Sequence, residues 1–295
     1  MVSPFIFLGA WSAAWASSES PRHVLFILVD DLGYADVSYH GSSAGSKIDT
    51  PTIDTLSAQG VRLENYYVTQ LCSPTRTSLL SGRYPYTIGM NSEVITNGNP
   101  SCMPRNVSTI ADRLQTAGWA TAAYGKWDAG MTSWGCTPTC RGFDHFFGFY
   151  NAYNDYFTHR VGKYVDFRND TEPVTTLTGQ YFTELMTAEH IRWMRSMHAS
   201  DKSRSTFAYF AHQANHAPMQ VPDVYIRGRC LEISIDNPAR RMLCGMMTAV
   251  DDSLRNLTSV YKELGIWDQT VIIFSTDNGG NTDTGGNNYP LRGNK

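Results

Sequence analysis

The chain has no dense block of basic residues and no apolar run long enough to cross a bilayer. Its 24 lysines and arginines are scattered among 27 aspartates and glutamates, which gives a formal net charge of −3. Without a basic patch, the sequence predicts no nucleic-acid partner and no binding to an acidic membrane surface. The N-terminal apolar stretch has about a dozen residues, whereas a spanning helix needs about 20, so no membrane span is predicted.

That N-terminal stretch is typical of a signal peptide over residues 1–17. It ends in small residues at Ala14-Trp15-Ala16, although no basic residue precedes it. Six cysteines also fit a secreted protein. Glycosylation sequons begin at Asn106, Asn169 and Asn256. The sequence therefore predicts entry into the secretory pathway, a lysosomal or extracellular location, and one domain over residues 22–295.

Apolar strands alternate with amphipathic helices along the chain. At 295 residues and 42% hydrophobic, the chain can bury a substantial core. Strands are predicted over residues 23–29, 119–124, 207–210 and 270–274, and helices over 50–60, 107–117, 180–197 and 240–264. Residues 131–170 lack periodicity and are predicted to form long loops. The fold class is α/β, with a doubly wound, mostly parallel sheet flanked by helices.

Residues 70–83, QLCSPTRTSLLSGR, bring a cysteine, a proline and an arginine within five residues. Ser73 can cap a helix and Pro74 suits its first position, so a helix is predicted to begin there. Its N-terminus favours an anion near Cys72, and Arg76 adds a cation for sulfate, phosphate or carboxylate. The segment is either an oxyanion site or a structural cysteine beside an ordinary helix cap.

Paired polar residues follow the first and the last predicted strands. Asp30 and Asp31 follow one, and Asp277 and Asn278 follow the other. Open α/β sheets bind ligands at the carboxyl ends of their strands. Three carboxylates and an amide oxygen suit a hard cation such as Ca²⁺ or Mg²⁺. The alternative is an ordinary turn at each position, which Asp, Asn and Gly favour.

The run Cys72-Ser73-Pro74-Thr75-Arg76, with its tail Leu79-Leu80-Ser81-Gly82-Arg83, resembles the signature of the sulfatase family. The similarity extends from about His23 to Lys295 and is closest to the arylsulfatase B (N-acetylgalactosamine-4-sulfatase) group. It implies that a formylglycine-generating enzyme oxidises Cys72 to formylglycine, the catalytic aldehyde. It also implies one Ca²⁺ per chain, held by Asp30, Asp31, Asp277, Asn278 and residue 72.

The resemblance implies roles for residues at the other two strand ends. Gly125-Lys126-Trp127-Asp128 matches a second signature, in which Lys126 binds sulfate, but Asp128 stands where the family has histidine. His216, in the pattern His-x-Pro-x-Gln-x-Pro, matches a histidine that contacts the sulfate ester. Arg76, Lys126 and Lys295 would neutralise the sulfate, and His216 or Lys295 would protonate the leaving oxygen.

The aspartate at position 128 is the clearest departure from that family. The family histidine helps to remove a proton from the aldehyde hydrate. An aspartate with an unperturbed pKa of about 3.9 is a weaker base than a histidine with one of about 6.5. Nearby cations would weaken it further, whereas burial would partly restore it. We therefore expect slow sulfate release, accumulation of covalent sulfo-enzyme, and faster turnover in the Asp128→His variant.

Conversion of Cys72 leaves five of the six cysteines for pairing. Cys230 and Cys244 can close a local loop. Three others compete for one partner: Cys102, Cys136 and Cys140. The resemblance implies a Cys102–Cys136 bridge, which leaves Cys140 free or paired beyond Lys295. Sulfatases also carry a smaller C-terminal domain, so the chain is expected to be C-terminally incomplete and to expose apolar surface.

The resemblance implies a sulfatase of the alkaline-phosphatase superfamily that hydrolyses sulfate monoesters of an aryl compound or a sulfated galactosamine sugar. One hydroxyl of the hydrated formylglycine attacks sulfur and the alcohol leaves; the second hydroxyl then loses its proton and expels sulfate. Two alternatives remain open. Phosphonate and phosphodiester hydrolases of the superfamily share the Cys-x-Pro-x-Arg element, and a sulfoglycan-binding relic would bind the ester without cleaving it.

Overall fold

The structure is a computed structural model that describes residues 22–41, 46–91, 93–233 and 237–295. The predicted signal peptide lies outside the described residues. The described strands are β1 (His23–Val29), β2 (Ala120–Lys126), β3 (His145–Phe149), β4 (Arg160–Val161), β5 (Tyr164–Val165), β6 (Arg168–Asn169), β7 (Glu172–Pro173), β8 (Thr206–His212) and β9 (Thr270–Thr276). The described helices are α1 (Ser38–Gly41), α2 (Pro51–Gln59), α3 (Cys72–Ser81), α4 (Ile110–Thr116), α5 (Phe182–Ser200), α6 (Asp223–Arg229) and α7 (Pro238–Glu263), with short 3₁₀ turns between them.

Seven strands form one mixed sheet in the order β7-β6-β3-β2-β8-β1-β9. The segment from β3 to β9 is parallel throughout, and β6 and β7 extend it as antiparallel strands. Strands β4 and β5 form a separate hairpin. The central strands are continuous apolar runs because both faces of the sheet are covered, which parallel sheets require. The predicted fold class is confirmed.

Helices cover the two faces of the sheet. Leu25 and Ile27 of β1 point to one core, which α2, α5 and α7 cover, while Leu28 points to a second core beneath α3 and α4. Helix α7 buries one stripe at helical spacing, because apolar residues recur every three or four positions. That stripe contains Leu243, Met247, Val250, Leu254, Leu257 and Tyr261. This two-sided cover is the doubly wound arrangement.

The strand register aligns the carboxyl ends of four neighbouring strands. Val29 of β1 pairs with His212 of β8 and with Thr276 of β9. Gly125 of β2 pairs with Ala211, so Lys126 ends its strand at the same level. Polar residues that follow these strands therefore emerge side by side at one edge of the sheet.

Two predicted helix starts differ from the structure. Helix α3 begins at Cys72, with Leu71 in the capping position, so Ser73 is not the cap. Helix α4 begins only at Ile110, because Thr109 accepts a hydrogen bond from the Asp112 N–H and caps it. Within α4, Ile110 is 45% exposed and Ala111 is buried.

The prediction of loops over residues 131–170 is wrong in part, because the region contains β3. Its sequence, HFFGF, includes a glycine, which weakens the strand pattern. Gly148 lies against β2 so closely that an added Cβ would be 2.1 Å from the Gly125 oxygen. Strand β2 also extends two residues past its predicted end, so Lys126 belongs to the strand and not to the following loop.

Both predicted disulfides are present, Cys102–Cys136 and Cys230–Cys244. Cys140 is free and exposed. At the edge strand β9, Val271 and Ile273 are 38% and 40% exposed. Among the described residues, none of the helices has the length and apolar character that a bilayer crossing requires. That the chain is C-terminally incomplete stays a prediction.

Candidate active site

The predicted site residues converge at the carboxyl edge of the sheet, where the N-terminus of α3 meets four strand ends. Oxygens of Asp30, Asp31 and Asp277 and the Cys72 sulfur all lie within 4.8 Å of one another. The cluster consists of polar residues of α3 and of residues that end or follow the strands β1, β2, β8 and β9. They are Asp30, Asp31, Cys72, Arg76, Lys126, Asp128, His216, Asp277 and Asn278, with Lys295 at its rim.

The oxygen ligands predicted for a cation are in mutual contact. The Asn278 amide donates to Asp31 at 2.7 Å, and the Asp31 backbone N–H donates to Asp277 at 3.2 Å. The three carboxylates are at most 2% exposed. Burial, and next the charge of Asp30, raises the pKa of Asp277, because like charges in a dry site oppose ionisation. This donor set fits a hard divalent cation, which would offset the crowded negative charge.

Cys72 lies at the centre of this oxygen cluster. Its sulfur is 3.3 Å from Asp30 Oδ1 and 3.4 Å from Asn278 Oδ1. Burial, together with the Asp30 charge, raises the pKa of the Cys72 thiol well above its ordinary value. An unmodified Cys72 is therefore a neutral thiol and a poor nucleophile. The geometry gives residue 72 a position among potential metal ligands.

Arg76 is fully buried and holds the cluster together. Its guanidinium donates twice to Asp277 Oδ2, at 3.1 and 2.8 Å, and once to the Lys126 carbonyl at 3.0 Å. Burial alone would lower the pKa of Arg76, but the charges of Asp277, Asp30 and other neighbours together more than offset it, so the cation persists. The sequence predicted contact with the sulfate, and the structure gives this side chain a further role in fixing the carboxylate.

Two lysines neutralise the remaining carboxylates. Lys126 Nζ lies 2.6 Å from Asp30 Oδ2 and 3.7 Å from Asp128 Oδ2. Lys295 Nζ lies 2.7 Å from Asp31 Oδ1 and is partly exposed. Burial alone would lower the pKa of each lysine, but the charge of Asp30 and those of other neighbours together outweigh it in both cases. Both ammonium groups therefore remain charged at the edge of the cluster.

Asp128 is buried beside the cluster in a left-handed backbone conformation, with φ of 49°. The Ser73 hydroxyl donates to its Oδ1 at 2.7 Å, while the Ile95 N–H donates to the same hydroxyl at 2.8 Å. Among the described residues, Oδ2 has no hydrogen-bond donor. Burial, opposed by Lys126, raises the pKa of Asp128 to about 6. The expected weak base is thus stronger than an ordinary aspartate, and impaired turnover stays a prediction.

His216 faces the cluster from the loop after β8. A ring nitrogen lies within 4.8 Å of the Asp30 carboxylate and the Cys72 sulfur. Its Nδ1 is 2.6 Å from the Ala217 carbonyl, so this nitrogen carries the proton in the neutral ring and Nε2 is the acceptor. Burial lowers the pKa of His216, although Asp30 opposes the effect. His212, the last residue of β8, is fully buried.

Sequence reasoning missed the contact between Ser73 and Asp128. Ser73 was interpreted as a helix cap because serine favours that position. The residue lies inside α3 instead, and its hydroxyl points across to the end of β2. No local sequence signal distinguishes these two uses of a serine, since the partner lies 55 positions away.

A family model described as Sulfatase matches residues 22–295. The chain is 38% identical over 288 residues to arylsulfatase J of Mus musculus, covering 96% of this chain and 46% of that protein. It is 28% identical to the N-acetylgalactosamine-6-sulfatase of Rattus norvegicus, covering 92% and 52%. The crystal structure titled Ps i-CgsB in complex with k-i-k-neocarrahexaose superposes with a TM-score of 0.85 at 30% identity, covering 94% of this chain and 62% of that chain.

These similarities, together with the matching fold and motifs, establish the class. The chain belongs to the sulfatase family. Its large α/β domain is the alkaline-phosphatase-like fold of that family. It spans about half the length of the curated relatives that it matches.

Proposed function

We propose that this chain hydrolyses sulfate monoesters. The observation that carries the proposal is the position of Cys72 among three buried carboxylates and three cations at one sheet edge. A structural cysteine would lie among apolar side chains, whereas this one contacts oxygen ligands on two sides. Conversion of Cys72 to formylglycine would supply a hydrated aldehyde with a nucleophilic hydroxyl at the position of the sulfur.

The charges of the site suit a singly charged ester. The carboxylates of Asp30, Asp31, Asp277 and Asp128, set against Arg76, Lys126 and Lys295, leave one net negative charge when all are ionised. A bound Ca²⁺ would turn this into one net positive charge, and a sulfate monoester carries one negative charge. A site of this kind stabilises the charge that develops on the transferred group. Asp30, Asp31, Asp277 and Asn278 would hold the metal.

The remaining side chains would bind the sulfate and move its protons. Lys126 and Lys295 would contact the sulfate oxygens, and Arg76 would keep Asp277 oriented while adding positive charge. Asp128 would accept the proton that must leave residue 72 before sulfate is released, because its Oδ2 has no donor among the described residues. His216 or Lys295 would protonate the leaving oxygen. Variants of these two residues can be compared on a series of sulfate esters whose leaving groups differ in pKa. Loss of the residue that acts as the acid should lower the rate most for the ester with the poorest leaving group.

The natural substrate of the proposed reaction is a sulfated glycan. The relatives include N-acetylgalactosamine-6-sulfatases, and the solved sulfatase with a TM-score of 0.85 holds a neocarrahexaose. The two disulfides fit an oxidising compartment, so a lysosomal or extracellular location is part of the proposal. A formylglycine-generating enzyme would be the partner that modifies Cys72 during secretion.

Parallel assays of an aryl sulfate and an aryl phosphodiester test the proposal. We expect the chain, secreted by cells that make formylglycine, to release sulfate from 4-nitrophenyl sulfate faster than it cleaves bis(4-nitrophenyl) phosphate. Cys72→Ala should lose at least about 10³-fold in rate, as loss of a covalent nucleophile does. Cys140→Ala is the matched control, because Cys140 is the other free cysteine and is exposed.

Three outcomes would contradict the proposal. Preferred cleavage of the phosphodiester would indicate a phosphodiester hydrolase. Unchanged sulfate release in Cys72→Ala would exclude residue 72 as the nucleophile. Binding of sulfated glycan by a fully converted chain, without any release of sulfate, would indicate the sulfoglycan-binding relic.

A further inference from the structure

A cavity of about 500 Å³ opens beside the candidate active site. His216 forms part of its wall, so the cavity begins at a residue whose ring nitrogen is within 4.8 Å of Cys72 and Asp30. The volume is in the range of about 300–1,000 Å³ that is usual for small-molecule sites. The wall consists of Tyr153, Asp155, Thr158, Arg160, Gly162, His216, Ala217 and Pro218. A group attached to an ester at residue 72 can extend into this space.

The loop that forms the cavity is fixed to the active-site segment. The Tyr156 hydroxyl donates to the His216 carbonyl at 3.0 Å, and the Tyr156 N–H donates to the Gln220 side chain at 2.9 Å. Asp155 accepts from Gln220 at 2.8 Å and from the Thr158 N–H at 2.7 Å. These bonds pre-form the cavity wall. They also give both Asp155 oxygens a hydrogen-bond donor.

Tyr153 provides an aromatic surface in the wall of the cavity. Its ring is nearly parallel to that of His216, with an interplanar angle of 10° and centroids 6.2 Å apart. The side chain is 42% exposed, so part of the ring is open to a ligand. The face of an aromatic ring carries negative potential, which attracts the weakly positive C–H groups of a sugar ring. Tyr153 therefore suits the flat side of a pyranose.

Arg160 supplies positive charge in the wall of the cavity. It belongs to the hairpin formed by β4 and β5, and its Nη1 donates to the Lys163 carbonyl at 2.9 Å, which orients the guanidinium. Nothing in the described part of the chain gives Arg160 a carboxylate partner within 4.0 Å. An oriented guanidinium with free donors binds sulfate or carboxylate groups in bidentate fashion. A neutral aryl group would leave this cation unused.

We propose that this cavity binds a sugar unit of an anionic glycan, with Tyr153 against the ring and Arg160 on a second anionic group of the same glycan. The inference rests on the proposed sulfate-ester hydrolysis at residue 72 and names its substrate class. It assigns the preferred substrate to glycans with at least two anionic groups, one sulfate at the reaction centre and one sulfate or carboxylate at Arg160. Simple aryl sulfates would bind through the first group alone.

Calorimetric binding to the Cys72→Ala chain tests this inference without turnover. The probe is a chondroitin disaccharide with two sulfate esters and one uronate carboxylate. Adding Arg160→Gln should weaken binding about tenfold or more, as expected for lost hydrogen bonds between charged groups. Arg113→Gln is the matched control, since Arg113 is exposed on α4, away from the cavity. Tyr153→Leu should weaken binding about two- to tenfold, and Tyr153→Phe should restore it.

Two further probes identify the anionic group that Arg160 binds: the monosulfated disaccharide and the methyl ester of the carboxylate. For the probe that lacks this group, Arg160→Gln should no longer weaken binding. Equal losses in Arg160→Gln and Arg113→Gln, or no measurable binding of the disaccharide, would overturn the inference.

Hydrolysis of 4-nitrophenyl sulfate by the chain with Cys72 intact separates this inference from the proposed function. Arg160→Gln should change that rate by less than about twofold, because the aryl ester has no second anion. If the aryl ester is hydrolysed but Arg160→Gln binds the disaccharide like the control, the inference is wrong and the proposed function stands. If no sulfate is released but binding depends on Arg160, the inference stands and the proposed function falls.

Discussion

The Asp128→Asn variant should lose about 10²–10⁴-fold in the rate of sulfate release, the usual contribution of a positioned general base. Asparagine can still accept from Ser73, which lies 2.7 Å away in the parent. It also tolerates the left-handed backbone, with φ of 49° at this position. The variant therefore removes the proton acceptor while keeping the local structure. Covalent sulfo-enzyme should accumulate, because the first attack does not need this base.

The pH dependence of the parent gives the second readout. Burial raises the pKa of Asp128 to about 6, so the base is mostly protonated at pH 5 and mostly ionised at pH 7. Sulfate release by the parent should rise as the pH increases through about 6. Asp128→Asn should lack this rise. The raised pKa changes the result that the sequence led us to expect for Asp128→His. This variant should now stay within about threefold of the parent, because a pKa of about 6 is already close to the histidine value of about 6.5.

Steady-state release of sulfate between pH 5 and pH 8, together with intact-protein mass spectra, measures these effects. The matched control is Asp268→Asn, which changes an exposed carboxylate remote from the site. A flat pH profile in the parent, or an Asp128→Asn variant as active as Asp268→Asn, would refute the role of Asp128 as the base. A large gain in Asp128→His would instead support the slow turnover expected from an ordinary aspartate.

Three further predictions concern the metal, a buried cation and the response to acid. Asp277→Asn should abolish both Ca²⁺ content and activity, and full metal occupancy by elemental analysis in the folded variant would exclude the site. Arg141 donates to the carbonyls of Met103 and Val107 at 3.1 and 2.6 Å, so Arg141→Met should lower the free energy of unfolding in urea by about 3 kcal/mol, whereas Arg113→Met should change it little. Burial lowers the pKa of His190 to about 3. Between about pH 6.5 and pH 3, only the unfolded chain therefore binds a proton at this histidine. The free energy of unfolding is therefore highest above about pH 6.5 and falls toward pH 3. Between pH 7 and pH 5 the parent should lose about 2 kcal/mol more than His190→Leu, and equal losses would contradict the assignment.

The sequence was sufficient to predict which strand ends carry the site. Parallel strands buried on both faces must be apolar throughout, so the polar pairs Asp30-Asp31 and Asp277-Asn278 mark where each strand ends. The in-register pairing of Val29 with Thr276 then brings the two pairs together. Strand β3 was missed because its burial depends on a close approach to Gly125 of β2, which leaves no periodic signal.

The electrostatic state of the site could not be predicted from the sequence. The pKa of Asp128 depends on its burial and on its distance of 3.7 Å from Lys126, and both follow from tertiary packing. Likewise, the pattern indicated Arg76 as a sulfate ligand, but its three hydrogen bonds go to Asp277 and the Lys126 carbonyl. These partners depend on the direction in which each side chain points at the edge of the sheet. That direction cannot be predicted from the spacing of residues along the chain.

The mass of the tryptic peptide over residues 63–76, which contains Cys72, tests the central claim most directly. The protein should be secreted by cells that make formylglycine, and the digest compared with that of Cys72→Ala. The digest should be alkylated, because the hydrate of the aldehyde has nearly the same mass as the unmodified thiol. We predict the lighter aldehyde form in the preparation that releases sulfate. A preparation that releases sulfate while this peptide carries only the unmodified thiol would contradict the assignment of residue 72 as the source of the nucleophile.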